Sequence, residues 1–555
     1  MAEPRFSVVT PVYDPPAAVL ESMLDSVRRQ TFDDWELCLV DDASPRSHVA
    51  EILERAARED PRIRVLRRRA NGGIVAASND GLELARGEFI ALLDHDDEFH
   101  PEALRLVDEA LLSSPEADYV YTDEDKIDRR GRHSGPFFKP DWSPERLRTQ
   151  MYTCHLSVLR RSLVEEVGGF DPEFEGAQDW DLVLRASERA RAVLHVPKVL
   201  YHWRTLETSA AGGGEEAKPW AFESGGRAVQ AHCQRIGLRA RVERDDRHSG
   251  VYHLEPELAD RPPVSIVIPT GGTSREIRYR TEALVSHCVR SIVERSTYEN
   301  YEIVVVADAS TPDVVRGELR DAAGDRLRLV DYDQPFSFSA KINLGAARGS
   351  GEHLLLLNDD MEVATPDWIE RMVMYSLLPE VGAVGGRLLW EDGRLQHVGV
   401  RFEHGLPGHP YRGFSRGFRG YSNEVLVARN SLAVTGACLM TRRQLFDEVG
   451  GLSADLPVNY NDIDFCLKLR AGGRRVLYDP DLVMYHFESS SRSGDVDEWE
   501  KDLLTDRWGQ MTDPDPYSNP NLRAGFPRLS AQLLWLKGGR LRRRRRSRRR
   551  VGAGV

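Results

Sequence analysis

The 555-residue chain is too long for one hydrophobic core, so we expect at least two domains. Its composition, 41% hydrophobic and 29% charged, is typical of a globular protein, and a net charge of −13 disfavours a nucleic-acid partner. The six cysteines form no CxxC pair, and no secretory leader pattern or long apolar run stands out, so the sequence predicts a cytoplasmic protein without a zinc ribbon, disulfide framework or membrane span.

Two parts of the chain resemble each other at matched positions. The runs FSVVTPV, WELCLVDDAS and GEFIALLDHDD correspond to the later runs VSIVIPT, YEIVVVADAS and GEHLLLLNDD. Asp96 and Asp360 are separated by 264 residues, whereas Asp179 and Asp462 are separated by 283, so the second copy gains about 19 residues between these points. This long period predicts a duplicated domain.

Within each copy, β-rich runs alternate with helix-like stretches such as AAVLESMLDSVRRQ and TEALVSHCVRSIVERS. This alternation predicts an α/β fold with a largely parallel sheet, in which ligands bind beyond the carboxyl ends of the strands. We expect domains over residues 1–210 and 262–525, a partly helical connector over 211–261, and a disordered basic tail over 526–555.

Acidic turns follow one predicted strand in each copy. Asp94 and Asp96 have the i, i+2 spacing of a hard oxygen site for Mg²⁺ or Mn²⁺ shared with a phosphate group. The alternative is a solvated turn that caps the next helix. In the second copy Asn358 replaces Asp94, and Asp359 and Asp360 follow, so this second metal site has a weaker ligand set.

Two further carboxylate pairs occupy matched positions. Asp42 and Asp308 end an earlier strand, where they would accept a hydrogen bond from a nucleobase or ribose, or else form an Asx turn. Asp179 and Asp462 begin an amphipathic helix, where each would serve as a general base or merely as a helix cap.

A histidine follows each of these helices. His202 in VLYHWR and His486 in VMYHFE both come after a tyrosine and before an aromatic residue. A lone histidine after a strand is usually a core residue, but two at matched spacing favour a contact with a metal ion or a diphosphate.

Together these motifs resemble two tandem family 2 glycosyltransferases of the GT-A fold, of the bacterial surface-polysaccharide type, over about residues 5–210 and 262–495. The resemblance is carried by VVTPVYD and IVIPT, VDDAS, GGFDPEFEGAQDWDL, YHWR, NDIDFCLKLRAGG and HFESSSR. It implies two Rossmann-like nucleotide-diphospho-sugar transferase domains. It also implies inverting transfer of a sugar, with Mn²⁺ or Mg²⁺, to a hydroxyl of a growing glycan such as a cell-surface polysaccharide or O-antigen, at two active sites.

The resemblance also implies roles for individual residues. Asp179 and Asp462 would be the catalytic bases, although Gln178 and Asn461 stand where the family keeps an acidic neighbour, which should leave the pKa of each base less elevated. The metal ligands would be Asp96, His202, Asp360 and His486. The nucleotide-sugar would be bound by Thr10, Pro11, Asp42, Asn79, Asp94, Pro269, Asp308, Lys341, Asn343 and Asp359, with Ala77 at the position of Lys341 in the first copy.

Two alternatives stay open. One copy would be a non-catalytic glycan- or nucleotide-binding domain, for which Asn358 and Asn461 make the second copy the candidate. A nucleotidyltransferase is the other, although no phosphate loop follows the first strand.

The expected partners are a nucleotide-diphospho-sugar donor and a glycan or lipid-linked glycan acceptor, and no nucleic acid. The arginine-rich stretch GGRLRRRRRSRRR predicts a peripheral contact with an anionic membrane, on the cytoplasmic face of the inner membrane.

Overall fold

The computed structural model describes residues 3–205, 219–487 and 496–523. In the first half, nine strands form one sheet. They are β1 (Phe6–Val12), β2 (Trp35–Asp41), β3 (Ile63–Arg67), β4 (Phe89–Leu92), β5 (Glu98–Phe99), β6 (Ala117–Ile127), β7 (His133–Phe137), β8 (Ser157–Arg160) and β9 (Ala192–Arg204). The helices are α1 (Ala17–Arg28), α2 (Ser47–Glu59), α3 (Gly73–Leu84), α4 (Ala103–Ser113), α5 (Pro144–Leu147), α6 (Arg161–Glu166) and α7 (Gln178–Ser187).

The sheet of the first half has the order β3-β2-β1-β4-β8-β6-β9-β5, and β7 pairs with β6. Strands β3, β2, β1 and β4 run parallel to one another, and β8 is antiparallel to both β4 and β6. Strand β2 is buried along its whole length, which explains its nearly continuous apolar sequence, since helices cover both faces of a parallel sheet. The carboxyl ends of β1, β2 and β4 therefore meet at one edge.

Between the halves lie helix α8 (Pro219–Arg235) and an antiparallel hairpin of β10 (Ala240–Arg244) and β11 (Tyr252–Pro256). The hairpin contacts the second half through His253, whose Nδ1 lies 2.8 Å from Asp481 Oδ2. Its Nε2 lies 3.1 Å from Oδ2 of Asp245, which belongs to the hairpin itself. Burial alone would lower the pKa of His253, but its hydrogen bonds to the two carboxylates and their charges raise it to about 9.

The second half contains fourteen strands in the part of the chain that the structure describes. They are β12 (Val264–Thr270), β13 (Ser274–Ile277), β14 (Arg280–Ala283), β15 (Tyr301–Asp308), β16 (Leu327–Tyr332), β17 (His353–Leu357), β18 (Met361–Val363), β19 (Val381–Leu389), β20 (Leu395–His397), β21 (Arg401–Glu403), β22 (Leu406–Gly408), β23 (Arg429–Ser431), β24 (Cys438–Arg442) and β25 (Arg475–His486). Its helices are α9 (Leu284–Arg295), α10 (Asp313–Ala323), α11 (Phe338–Arg348), α12 (Trp368–Ser376), α13 (Arg443–Glu448), α14 (Asn461–Ala471), α15 (Glu498–Thr512) and α16 (Pro520–Arg523).

The main sheet of the second half repeats the first strand for strand. Its order is β16-β15-β12-β17-β24-β19-β25-β18, with β20 paired to β19 and β23 to β25. The corresponding neighbours are again parallel on one side of β17 and antiparallel at β24. The predicted α/β fold with two copies of a mostly parallel sheet is thus confirmed.

Buried polar contacts connect the two halves. Arg475 Nη2 lies 3.0 Å from Oε1 of the fully buried Glu145. Near the end of the described chain, Asn519 Nδ2 donates to both carboxylate oxygens of Asp123 (3.0 and 2.9 Å) and to the carbonyl of Lys139 (2.8 Å). A segment that follows the second sheet is therefore anchored in the first half.

None of the helices in the described ranges combines the length and the apolar character required to cross a bilayer. The predicted basic tail, residues 526–555, lies outside the described residues.

Candidate active site

A cavity of about 620 Å³ opens at the carboxyl ends of β12, β15 and β17 in the second half. Three groups of side chains line it. Pro269 and Asp308 come from the strand ends, Asn358, Asp359 and Asp360 from the acidic turn, and His486 from the end of β25. These six residues were singled out from the sequence, and the fold brings them together because parallel strands end at one edge.

Asp308 is paired with a lysine from the neighbouring helix. Lys341 lies in the first turns of α11 and is completely buried, and its Nζ is 2.5 Å from Asp308 Oδ1. The same ammonium group donates to the carbonyl of Thr270 at 2.9 Å. The side chain of Asp308 is 26% exposed, so one face of this carboxylate is accessible from the cavity.

The acidic turn holds two adjacent carboxylates at the floor of the cavity. Thr270 Oγ1 donates to Asp359 Oδ2 at 2.6 Å, and His486 Nε2 lies 3.1 Å from Asp360 Oδ1. Burial and, secondly, the charge of Asp360 raise the pKa of Asp359 to about 7. Asn358 Nδ2 lies 3.4 Å from the same histidine nitrogen. The acidic turn thus brings a carboxylate oxygen of Asp360 and an imidazole nitrogen of His486 into contact.

Asp462 is the second residue of α14 and is oriented by two main-chain donors. The amide of Gly436 donates to Oδ2 at 2.7 Å, and the amide of Ile463 donates to Oδ1 at 2.8 Å. Burial raises the pKa of this carboxyl group, and these amide bonds partly offset the effect. Thr435, the residue before Gly436, lines the cavity, so Asp462 lies directly behind its wall.

The lining residues that were not identified from the sequence include four from one stretch of the second half. Gln396, His397, His409 and Arg412 come from the stretch between the acidic turn and Asp462, where the second copy is longer by about 19 residues. Gln396 Oε1 lies 2.8 Å from His486 Nδ1, and the Nδ1 atoms of His397 and His409 are 2.9 Å apart. Burial lowers the pKa of His397 well below its ordinary value, so this ring is neutral. The sequence signal that could have pointed to these residues was the extra length of the second copy.

In the first half, the counterpart of Asp308 is Asp42, which accepts hydrogen bonds from nearby groups of the chain. Asp42 is 2% exposed, and its carboxylate accepts hydrogen bonds from the amides of Gly72 and Gly73 at 2.9 Å each. Arg68 Nη1 donates to it at 3.1 Å. The lysine is replaced by Ala77, so the two halves satisfy this aspartate in different ways.

Asp94 and Asp179 meet in a small pocket of the first half, of about 60 Å³, which Pro11 and His155 also line. Burial raises the pKa of Asp94, while the charge of His155 opposes this effect. The structure therefore brings the predicted base of this half close to the start of its acidic turn.

The two matched histidines differ because the strands that carry them are paired in different registers. Glu98 on β5 pairs with His202, whereas Glu362, which lies 264 residues later, pairs with Tyr485 and not with His486. Successive side chains of a strand point to opposite faces, so a shift of one residue turns the histidine to the other face.

As a result His202 contacts a carboxylate that lies outside the acidic turn. Its Nδ1 lies 2.7 Å from Asp125 Oδ1 on the neighbouring strand β6. An arginine contacts the acidic turn instead, since Arg204 Nε donates to the carbonyl of Asp96 and the Arg204 amide to Asp97 Oδ1, both at 2.7 Å. A common metal role for the two histidines has a geometric basis only where His486 meets Asp360.

The two predicted asparagines hold the loop that precedes the helix of Asp179 in the first half or of Asp462 in the second. Asn79 accepts from the amide of Phe170 at 2.9 Å and donates to its carbonyl at 2.8 Å. Asn343 makes the same pair of bonds with Leu452, at 3.0 and 2.8 Å. Both sides of each amide group are engaged, so these residues position a loop. Thr10 is fully buried within β1.

Comparisons with known proteins agree with this arrangement. The sequence profile of glycosyl transferase family 2 matches residues 7–168 and 265–450, well over half of the chain. The uncharacterized protein y4gI of Sinorhizobium fredii is 41% identical over 94% of this chain and 58% of its own length. The O-antigen biosynthesis protein RfbC of Myxococcus xanthus is 37% identical over 94% of this chain and 40% of its own length.

A chondroitin synthase of Pasteurella multocida is 30% identical over 36% of this chain and 20% of its own length. The chain thus spans about half of the length of the first two relatives. The two profile matches fall on the two sheets described above. The chain therefore belongs to glycosyl transferase family 2, with two tandem domains of this family.

Proposed function

We propose that the chain transfers a sugar, with inversion at the anomeric carbon, from a nucleotide-diphospho-sugar to a hydroxyl of a growing glycan, such as a cell-surface polysaccharide or O-antigen. One observation carries the proposal: Asp308, which is paired with Lys341, and the acidic turn line a single cavity of about 620 Å³, and Asp462 lies directly behind the wall that Thr435 forms. The relatives named for O-antigen biosynthesis and chondroitin synthesis support the glycan class.

The donor would lie along the strand ends. The accessible face of Asp308 would accept a hydrogen bond from the nucleobase or ribose, and the buried ammonium of Lys341 would hold that carboxylate in place. The diphosphate would then reach the acidic turn, where Asn358 and Gln396 offer neutral hydrogen-bonding groups.

The acidic turn fits Mn²⁺ or Mg²⁺. Asp359 and Asp360 offer carboxylate oxygens and His486 offers an imidazole nitrogen, and all three residues line the cavity. When bound there, a divalent ion would neutralise the charge that develops on the departing diphosphate.

Asp462 would take the proton of the attacking hydroxyl group. Its two main-chain hydrogen bonds fix the carboxylate, and burial moves its pKa towards neutrality, where a carboxylate is a better base. Direct displacement needs no covalent intermediate on the protein, so no serine or cysteine nucleophile is expected.

The proposal includes two active sites, in domains over residues 1–210 and 262–525 that are joined by the connector 211–261. Asp94, Asp96 and Asp179 would serve the first site. A second candidate is that the first half only binds glycan or nucleotide. The three hydrogen bonds that Asp42 accepts from its own chain leave it less available to a nucleotide, which favours a first half that binds glycan without transfer, contrary to the sequence-based choice of the second half.

Matched variants separate these possibilities. Asp462→Asn and Asp179→Asn should each abolish one transfer and leave nucleotide binding nearly unchanged, because each removes a base but keeps its shape. Products from a panel of nucleotide-sugars with Mn²⁺ would be identified by mass spectrometry. The controls are Asp455→Asn and Glu173→Gln, both exposed carboxylates. Full transfer by Asp462→Asn would contradict the proposal, and full transfer by Asp179→Asn would leave one active site.

We further propose that the arginine-rich tail keeps the protein on the cytoplasmic face of the inner membrane, close to a lipid-linked acceptor. Each basic residue near an anionic surface contributes about 1 kcal/mol of binding. Removal of residues 539–555 should release the protein from vesicles that contain anionic lipid, and unchanged sedimentation with these vesicles would contradict the anchor.

A further inference from the structure

Three neighbouring strands of the first half place a carboxylate and two imidazoles on one face of the sheet. Asp125 on β6 lies directly opposite His202 on β9. On the other side, His133 on β7 lies opposite Ile127, two residues beyond Asp125. Residues i and i+2 of a strand share a face, and diagonal cross-strand neighbours are within reach of each other, so the three side chains meet.

The side chains are close enough to share one ion. His202 Nδ1 lies 2.7 Å from Asp125 Oδ1, and His133 Nδ1 lies 3.0 Å from Asp125 Oδ2. The two imidazole rings are 4.5 Å apart at an angle of 77°. One ligand atom from each residue lies within 4.8 Å of the others.

We propose that Asp125, His133 and His202 bind a zinc ion that is distinct from the ion at the acidic turn. Zinc accepts imidazole nitrogen and carboxylate oxygen at about 2.0–2.2 Å and is commonly held by three protein ligands and a water molecule. Two imidazoles favour zinc over Mg²⁺ or Mn²⁺, which prefer oxygen. The ion replaces the protons that the imidazoles now share with Asp125.

The neighbouring histidine is not needed as a ligand. The ring of His100 lies 6.0 Å from that of His202, and its Nδ1 accepts a hydrogen bond from the amide of Glu102 at 3.2 Å. This bond places the His100 proton on Nε2, away from a ligand role. The fourth zinc position is therefore open to water.

The ion would connect the β6–β7 hairpin to β9. The side chain of His133 is 52% exposed, whereas Asp125 and His202 are each 12% exposed, so the ion would join an outer strand to a more buried pair. Its role is thus to fix the edge of the first half, and it does not depend on which half transfers sugar.

The test uses the full chain with Asp96→Asn and Asp360→Asn together, which removes a ligand of the proposed ion at each acidic turn. After treatment with a chelator, zinc chloride is titrated by calorimetry. We expect a zinc site whose affinity falls about 100-fold or more on His133→Ala, since loss of a direct ligand should exceed the 10- to 100-fold effect of outer-shell changes. His248→Ala is the control, because His248 also lies 3.0 Å from an aspartate, Asp245, but belongs to no three-ligand group within the described residues.

Zinc should also raise the melting temperature of the chain that contains both Asp96→Asn and Asp360→Asn, and His133→Ala should remove that shift. Because His133 is largely exposed, this variant should fold, and circular dichroism checks that it does. Asp125→Asn, which keeps the size of the side chain, gives an independent second variant. Equal zinc affinity with and without His133, or an anomalous zinc peak away from these three residues, would overturn the proposal.

Discussion

The buried pair of Lys341 and Asp308 offers a sharp test of the cavity in the second half. In Lys341→Met the aliphatic stem is kept and the charge is lost, which leaves Asp308 with 26% exposure and no ammonium partner. Removing one partner of a buried ion pair costs about 3–5 kcal/mol. Because water reaches Asp308, we expect a loss below this range, about 2–3 kcal/mol in the free energy of unfolding.

Asp308→Asn is the reverse change, since it removes the negative charge of the pair and keeps the positive charge. Asp308→Asn leaves the completely buried Lys341 with a neutral amide oxygen and the carbonyl of Thr270, so we expect a cost of about 3 kcal/mol. The double variant contains neither charge and should lose less than the sum of the single changes. The coupling energy should be about 2 kcal/mol, above the roughly 0.5 kcal/mol seen between independent sites.

Urea denaturation of the four proteins, followed by circular dichroism, gives this cycle. The control is Lys501→Met, because Lys501 forms an ion pair with Glu498, whose side chain is 83% exposed, and such pairs contribute about 0–1 kcal/mol. Additive losses for Lys341→Met and Asp308→Asn would refute the reasoning, because they would show that the two charges do not interact in the folded protein.

Three further predictions follow from the described contacts. The pKa of His253 is raised from 6.5 to about 9. The stabilisation that its protonated ring contributes to the folded state is therefore fully present below pH 6.5 and is lost as the pH rises through 9. His253→Gln should therefore destabilise the protein by about 2 kcal/mol more at pH 6 than at pH 10 in thermal unfolding, and a pH-independent loss would contradict this. His486→Ala should weaken Mn²⁺ binding about tenfold or more in calorimetry, whereas His202→Ala should leave Mn²⁺ affinity unchanged, and equal effects would refute the register argument. Asn343→Ala leaves the amide and carbonyl of Leu452 without their side-chain partner and should cost about 1–3 kcal/mol in urea denaturation, while a loss below about 0.5 kcal/mol would show that water replaces the amide.

The internal repeat was sufficient to predict the architecture. Apolar runs that end in carboxylates recur at a nearly constant separation, and each run became a buried strand at the same place in two sheets of the same order. Strand ends in a parallel sheet share an edge, so Asp308 and Asp360 were expected to lie near each other before any coordinates, and both line the same cavity.

Hydrogen-bond partners were harder to predict, because they depend on residues that are distant in sequence. Asn79 and Asn343 were predicted to contact the nucleotide-sugar, and the structure adds hydrogen bonds from both to the loop before the helix of Asp179 or Asp462, about 90 to 110 residues later in the chain. The amides of Gly72 and Gly73 saturate Asp42, and nothing in the local pattern around VDDAS indicates them. Such bonds form only when loops from separate strands pack together.

The duplication, the α/β sheets and the carboxylates at their edges could be predicted from the amino-acid sequence, because apolar periodicity and strand-end chemistry are local properties of the chain. The direction in which each matched histidine points could not be predicted, because it depends on how the strands pair in the folded protein. The letters Tyr-His align in the two copies, but pairing with β5 and β18 differs by one residue, and that shift sends His202 to Asp125 and His486 to Asp360. Strand register is set by packing across the whole sheet, so no short motif contains it.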